Sequence, residues 1–156
     1  MALSADPFTF LGYRSPLYRP ALKGQRVLVV EDVVLLAMLV ADWLSDAGAK
    51  VVGPASSVNE ALGLIESAAS DGGLSAAVLD MNLHGAAVSP VADRLAALGV
   101  PFVYATGYGE DCDRGEHAAA VLTKPFSLNA LVAAVEGLAA NHSTTPQGRR
   151  SAIPQV

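Results

Sequence analysis

The chain has 156 residues, 52% of them hydrophobic, with a net charge of −5 and a single cysteine, Cys112. That length and apolar content predict about one folded domain. The acidic balance gives no electrostatic basis for nucleic-acid binding, and a lone cysteine excludes an internal disulfide. The longest apolar run, Val33 to Ala41, is far short of the roughly 20 residues of a membrane span, and no secretory pattern opens the chain. The expectation is a cytoplasmic protein that contacts neither nucleic acid nor membrane.

In chain order, residues 1–25 read as an N-terminal extension. Phe8, Phe10, Leu11, Tyr13 and Tyr18 are scattered there among prolines and glycines without period, so they could pack on the domain or on a partner. "RVLVV" (Arg26 to Val30) is a β-branched run suited to a strand buried on both faces. A mostly apolar helix is predicted from about Val33 to Ala47, closed by Gly48 as a left-handed cap. "KVVGPA" is a second strand, and Ser57 and Glu60 at capping-box spacing open a second helix. "AAVLDM" is a third strand. The next helix has Ser89 as N-cap, Pro90 at its first position and Gly99 beyond its end. "PFVYAT" and "AAVLTK" are the fourth and fifth strands, and "SLNALVAAVEGLAA" is the last helix. Between those two strands, "GYGEDCDRGEH" contains three glycines and little apolar period. The fourth helix is therefore expected to be weak or partly disordered. Residues 141–156 are polar and read as a flexible tail, leaving 26–140 as the domain.

Alternating strands and helices predict an α/β fold, a five-stranded parallel sheet doubly wound with helices on both faces. In such a sheet the site lies beyond the carboxyl ends of the strands, where the strand order reverses. Polar residues should therefore gather at strand ends, and they do. Glu31 and Asp32 end the first strand, Asp80 the third, Thr106 the fourth and Lys124 the fifth. Singly, each reads as a cap, a turn residue or a solvated charge. Jointly, three carboxylates on one edge repel unless a cation intervenes. Oxygen ligands without His or Cys suit a hard ion such as Mg²⁺. A lysine and a hydroxyl beside them make a phosphoryl site.

These residues resemble the receiver domain of two-component response regulators over about residues 26–140. "VLVVEDV" is similar to its acidic-pair segment, "AVLDMNLHG" to its phosphoacceptor segment, "YATG" to its Thr/Ser segment and "LTKPF" to its Lys-Pro-Phe segment. The resemblance implies the flavodoxin-like receiver fold, with Asp80 as phosphoacceptor. Asp32, Asp80 and the backbone carbonyl of Asn82 would bind Mg²⁺ directly, and Glu31 through water. Thr106 and Lys124 would bind phosphoryl oxygens, and the Lys124–Pro125 bond would be cis. The Asn82 side chain would line the approach of the hydrolytic water. "PFVYATGY" further resembles the signature of the FAT GUY receivers, single-domain regulators associated with sensor histidine kinases of the HWE type. As in that group, the aromatic switch position before the lysine is not aromatic: it is Val121. Tyr104 and Tyr108 are candidates to replace that ring, beside the reading of each as an ordinary strand-packing or loop-surface tyrosine, and Gly107 leaves room for the phosphoryl group.

The function implied is a single-domain response regulator that takes a phosphoryl group from a sensor histidine kinase onto Asp80. It catalyses only its own loading and unloading, and it signals to an unknown downstream protein or diverts phosphate. Two alternatives stand beside it. One is a haloacid-dehalogenase-like phosphatase, opposed by Asn82 where that family has a second Asp to act as general acid. The other is a pseudo-receiver that binds without being phosphorylated. Cys112 and the histidines His84, His117 and His142 are given no role, the histidines being assigned to exposed loop or tail.

Overall fold

The computed structural model describes residues 20–107 and 119–151, with side chains described as far as residue 140. In chain order the elements begin β1 (Arg26–Val30), α1 (Val34–Asp46), β2 (Lys50–Ala55), α2 (Val58–Ala69) and β3 (Ala76–Asp80). They continue with β4 (Asn82–Leu83), β5 (Ala86–Ala87), α3 (Ser89–Ala97), β6 (Phe102–Thr106), β7 (Ala120–Thr123) and α4 (Leu128–Ser151). The predicted sheet is present: five parallel strands in the order β2-β1-β3-β6-β7.

Side chains of a strand alternate between faces, and the sheet here is buried on both. Leu28, Val30, Ala77, Leu79, Phe102 and Tyr104 pack with Ala61 and Ile65 of α2 and Val91 and Leu95 of α3. Val27, Val29, Val78 and Val103 pack with Val40 and Leu44 of α1 and Leu131 and Val135 of α4. This two-sided burial is why the strands read as continuous apolar runs rather than as alternation. Pro54 is tolerated because β2 is an edge strand, and the Gly53–Pro54 bond is cis.

Four boundaries differ from expectation. The domain starts before Arg26: Leu22 is fully buried, and its N–H donates to the Ala47 carbonyl at 2.8 Å. The turn that carries it lies against the end of α1. A Cβ at Gly48 (φ +104) would come within 3.0 Å of the Pro20 Cβ and the Lys23 nitrogen. Second, the N-cap of α3 is Val88 and not Ser89. The amides of Val91 and Ala92 already bond to the Val88 carbonyl, and Ser89 falls inside the first turn. Third, β4 and β5 form a small antiparallel hairpin that two-residue strands cannot announce by period. Its turn residues His84 (φ 52) and Gly85 (φ 85) both have the positive φ that a two-residue hairpin turn requires. Fourth, α4 continues to Ser151 where a tail was expected from about 141. Residues 108–118, with the expected weak helix, Tyr108, Cys112 and His117, lie outside the described residues.

Candidate metal and phosphoacceptor site

Strand order reverses between β1 and β3, since β2 lies on one side of β1 and β3 on the other. Their carboxyl ends border the crevice such a reversal creates. Glu31 and Asp32 follow β1 directly, and Asp80 is the last residue of β3. The fold brings these three together: one carboxylate oxygen from each lies within 4.8 Å of the others. Glu31 and Asp80 are 5% and 7% exposed.

Lys124 arrives from the far side of the sheet. Its backbone N–H donates to the Thr106 carbonyl at 2.7 Å, and its bond to Pro125 is cis as expected. From there its Nζ donates to Glu31 Oε1 at 2.9 Å and stands 3.4 Å from Asp80 Oδ2. One ammonium thus meets two of the three carboxyl groups, Glu31 and Asp80. Burial, joined by the charge and hydrogen bond of Glu31, pushes the Asp80 carboxyl up to about 6, against the opposing pull of the Asn82 N–H and Lys124. For Asp32 burial also acts upward. The His84 backbone N–H, a hydrogen bond with Asp80 and the His84 charge outweigh it, so Asp32 lies below its ordinary value. Burial would lower Lys124, but Glu31 and Asp80 outweigh it and hold the ammonium above its ordinary value.

This donor set fits a divalent cation. It consists of oxygens only, and one oxygen from each of three carboxyl groups lies within 4.8 Å of the others.

The surrounding residues are arranged as follows. Asn82 donates its N–H to Asp80 Oδ1 at 3.2 Å. Its side-chain oxygen accepts from the Gly85 N–H at 2.8 Å and so helps close the β4–β5 turn. Thr106 is 2% exposed at the end of β6, one residue past Ala105, the register partner of Asp80. At Gly107 a Cβ would meet nothing within 4 Å among the described residues. Val121 is partly buried on the α2–α3 face of the sheet. Its register partner is Tyr104, which is 2% exposed and packs edge-on against Phe102 with ring centres 5.4 Å apart. The aromatic ring thus sits one strand further in, as part of the core.

Sequence reasoning missed His84. It is exposed, as expected, but it is not idle: its N–H donates to Asp32 Oδ2 at 2.8 Å, and its Nδ1 lies 3.3 Å from the same oxygen. The positive-φ pair His84-Gly85 aims the amide at Asp32. The available signal was the tight spacing of Asn82 and Gly85 after Asp80, which marks a turn over the pocket.

Fold and site together define an α/β domain built around an oxygen-ligand pocket at the switch point of a parallel sheet. Neither a family model nor a curated protein matches the chain, whereas solved structures do. SdrG from Sphingomonas melonis Fr1 is 39% identical with a TM-score of 0.62, over 76% of this chain and 97% of that one. A response regulator receiver protein from Sinorhizobium medicae WSM419 is 27% identical with a TM-score of 0.62, over 78% and 98%. The response regulator PhyR from Brucella abortus shares the fold at 24% identity and a TM-score of 0.68; the match covers 84% of this chain but only 54% of PhyR. The chain therefore spans about half the length of that regulator. It belongs to the response-regulator receiver family.

Proposed function

We propose that this receiver accepts a phosphoryl group on Asp80 from a sensor histidine kinase in a Mg²⁺-dependent reaction, and signals in the cytoplasm by binding a downstream protein or by diverting phosphate. The carrying observation is the placement of Asp80 among Glu31, Asp32 and Lys124 within contact distance.

Phosphoryl transfer requires mainly positioning and charge neutralisation. A carboxylate oxygen of Asp80 forms the new O–P bond as the N–P bond of the phosphohistidine breaks, with the electron pair leaving on the imidazole nitrogen. The low exposure of Asp80 keeps competing water from most of its surface. The Asn82 N–H on Asp80 Oδ1 orients the carboxyl group, and Lys124 places its charge where phosphoryl oxygens arrive. The Thr106 hydroxyl would supply a further hydrogen bond. Glu31, Asp32, Asp80 and the Asn82 carbonyl would hold Mg²⁺, which supplies positive charge against the phosphoryl oxygens. With its carboxamide engaged at Gly85, Asn82 would borrow from the turn whatever it does to the hydrolytic water.

The sequence "PFVYATGY" supports placing the chain with the FAT GUY receivers and a kinase of the HWE type as donor. The burial of Tyr104 against Phe102 supports reading it as a packing residue of the strand. The test is incubation with acetyl phosphate and Mg²⁺, followed by intact mass and by base treatment. A base-labile phosphoryl adduct that disappears in Asp80→Asn and in the presence of a chelator supports the reading. An adduct that persists in Asp80→Asn, or turnover of a phosphate ester without any adduct, overturns it.

A further inference from the structure

The three carboxyl groups of the pocket are not held in the same way. Glu31 accepts from Lys124 Nζ at 2.9 Å and from the Val33 N–H at 3.1 Å. Asp80 accepts from the Asn82 N–H at 3.2 Å and has Lys124 Nζ at 3.4 Å. Asp32 follows β1 outside any strand. Besides its hydrogen bond with Asp80, it accepts from the tip of the β4–β5 hairpin, where the His84 N–H lies 2.8 Å from Oδ2. The direction of the Asp32 carboxylate therefore depends on where that tip stands.

The tip has little support of its own. The ladder is two residue pairs, Asn82 with Ala87 and Leu83 with Ala86, and so short a hairpin is not stable by itself. Leu83 and Val88 are buried and fasten its base to the core, while His84, Gly85, Ala86 and Ala87 are exposed. His84 has φ 52, a left-handed conformation that is unfavourable for a residue with a Cβ. The Asn82 side chain opposes that cost: its Oδ1 accepts from the Gly85 N–H at 2.8 Å and closes the turn. Asn82 thus meets the pocket through its backbone N–H on Asp80 and the turn through its carboxamide. A substitution at this position removes the second contact and leaves the first.

We infer that the Asn82 carboxamide is a positioning group for Asp32. By closing the His84–Gly85 turn it fixes the His84 N–H, which in turn fixes the Asp32 carboxylate beside Glu31 and Asp80. The inference rests on the reading of the pocket as a Mg²⁺ site and adds to it a side chain that acts on a ligand through the turn. Losing an outer partner of a metal ligand commonly weakens metal binding by roughly 10–100-fold. Asn82 is exposed and acts one step further out, which places it at the lower end of that range.

The experiment follows exchange of the His84 amide in metal-free protein and the Kd for Mg²⁺ from amide-shift titration. It compares the parent with Asn82→Ala, His84→Asn and the double variant Asn82→Ala/His84→Asn. An Asn-Gly pair favours a two-residue hairpin turn by itself, so His84→Asn restores the turn without restoring the carboxamide at position 82. The single His84→Asn variant accounts for loss of the imidazole, whose Nδ1 lies 3.3 Å from Asp32. In Asn82→Ala the amide should exchange faster and the Kd should rise about tenfold. In the double variant both should return to the values of His84→Asn, while unmoved sheet amides show that each variant is folded. A Kd unchanged in Asn82→Ala overturns the inference, as does a His84 amide that exchanges no faster there. A Kd that stays raised in the double variant also overturns it, because the carboxamide then acts without the turn. A parent that takes up no Mg²⁺ overturns the reading of the pocket itself, and the inference with it.

Discussion

Asp80 is a buried carboxyl group whose neighbours disagree about its charge. Burial and Glu31 favour the proton, while the Asn82 N–H and Lys124 favour the anion, and the balance leaves it at about 6 against an ordinary 3.8. Because the folded protein holds this proton to a higher pH than the unfolded chain, the linked stability is present below about pH 4. It is lost as pH rises through 6. Asp80→Asn, which keeps an acceptor for Asn82 without the charge, is expected to be the more stable protein at pH 8 in metal-free buffer. The difference should be on the order of 1–3 kcal/mol, and should shrink toward zero near pH 4. Urea titrations at the two pH values test this. An Asn variant that is weaker than the parent at pH 8 would show that Lys124 already offsets the ionised carboxylate.

Helix caps carry the next scale. Ser57 accepts the Glu60 N–H at 3.1 Å, and Glu60 Oε1 in return accepts the Ser56 N–H at 2.9 Å. This is the reciprocal box that its spacing predicted, shifted by one residue at the return bond. Ser57→Ala is expected to lower stability by about 1 kcal/mol, read as a shift of the urea midpoint at unchanged slope. At α3 no side chain caps the first turn, so Ser89→Ala should have much less effect than Ser57→Ala. The comparison separates a sequence signal that is used from one that is not. The hairpin of β4 and β5 shows the same limit from the other side. Four ladder residues give no period to read, yet the hairpin places the His84 amide on Asp32.

For the whole molecule, two expectations concern what belongs to the domain and what completes it. Leu22→Ala should cost about 2–5 kcal/mol, the range for emptying a fully buried leucine site. A cost near zero would return residues 20–24 to the extension. Mg²⁺ should raise the melting temperature, because a ligand bound only by the folded state stabilises by about 2.7 kcal/mol at a hundredfold excess over Kd. Asp32→Asn should remove most of that gain, since it takes a charge from the trio of carboxylates. Equal stabilisation of parent and variant in a thermal scan would place the ion elsewhere. Among the described residues no helix is long and apolar enough to cross a membrane.

The order of strands and helices, and the residues of the pocket, were legible from the sequence. Strands buried on both faces must be apolar throughout, so Glu31, Asp32, Asp80, Thr106 and Lys124 stand out where each run stops. What the sequence left open depends on contacts between distant segments. Leu22 looks like part of a tail until Ala47 is seen to accept its amide. His84 looks like an exposed loop residue until the turn sets it against Asp32, 52 residues away. Tyr104 reads as a polar-tipped strand residue until its ring is seen buried against Phe102. Local pattern determined which residues are polar at the strand ends; the closure of the sheet decided that Lys124 meets Glu31 and Asp80 at once. It is that convergence of unlike charges in a water-poor crevice that sets the carboxyl group of Asp80 apart from an ordinary aspartate.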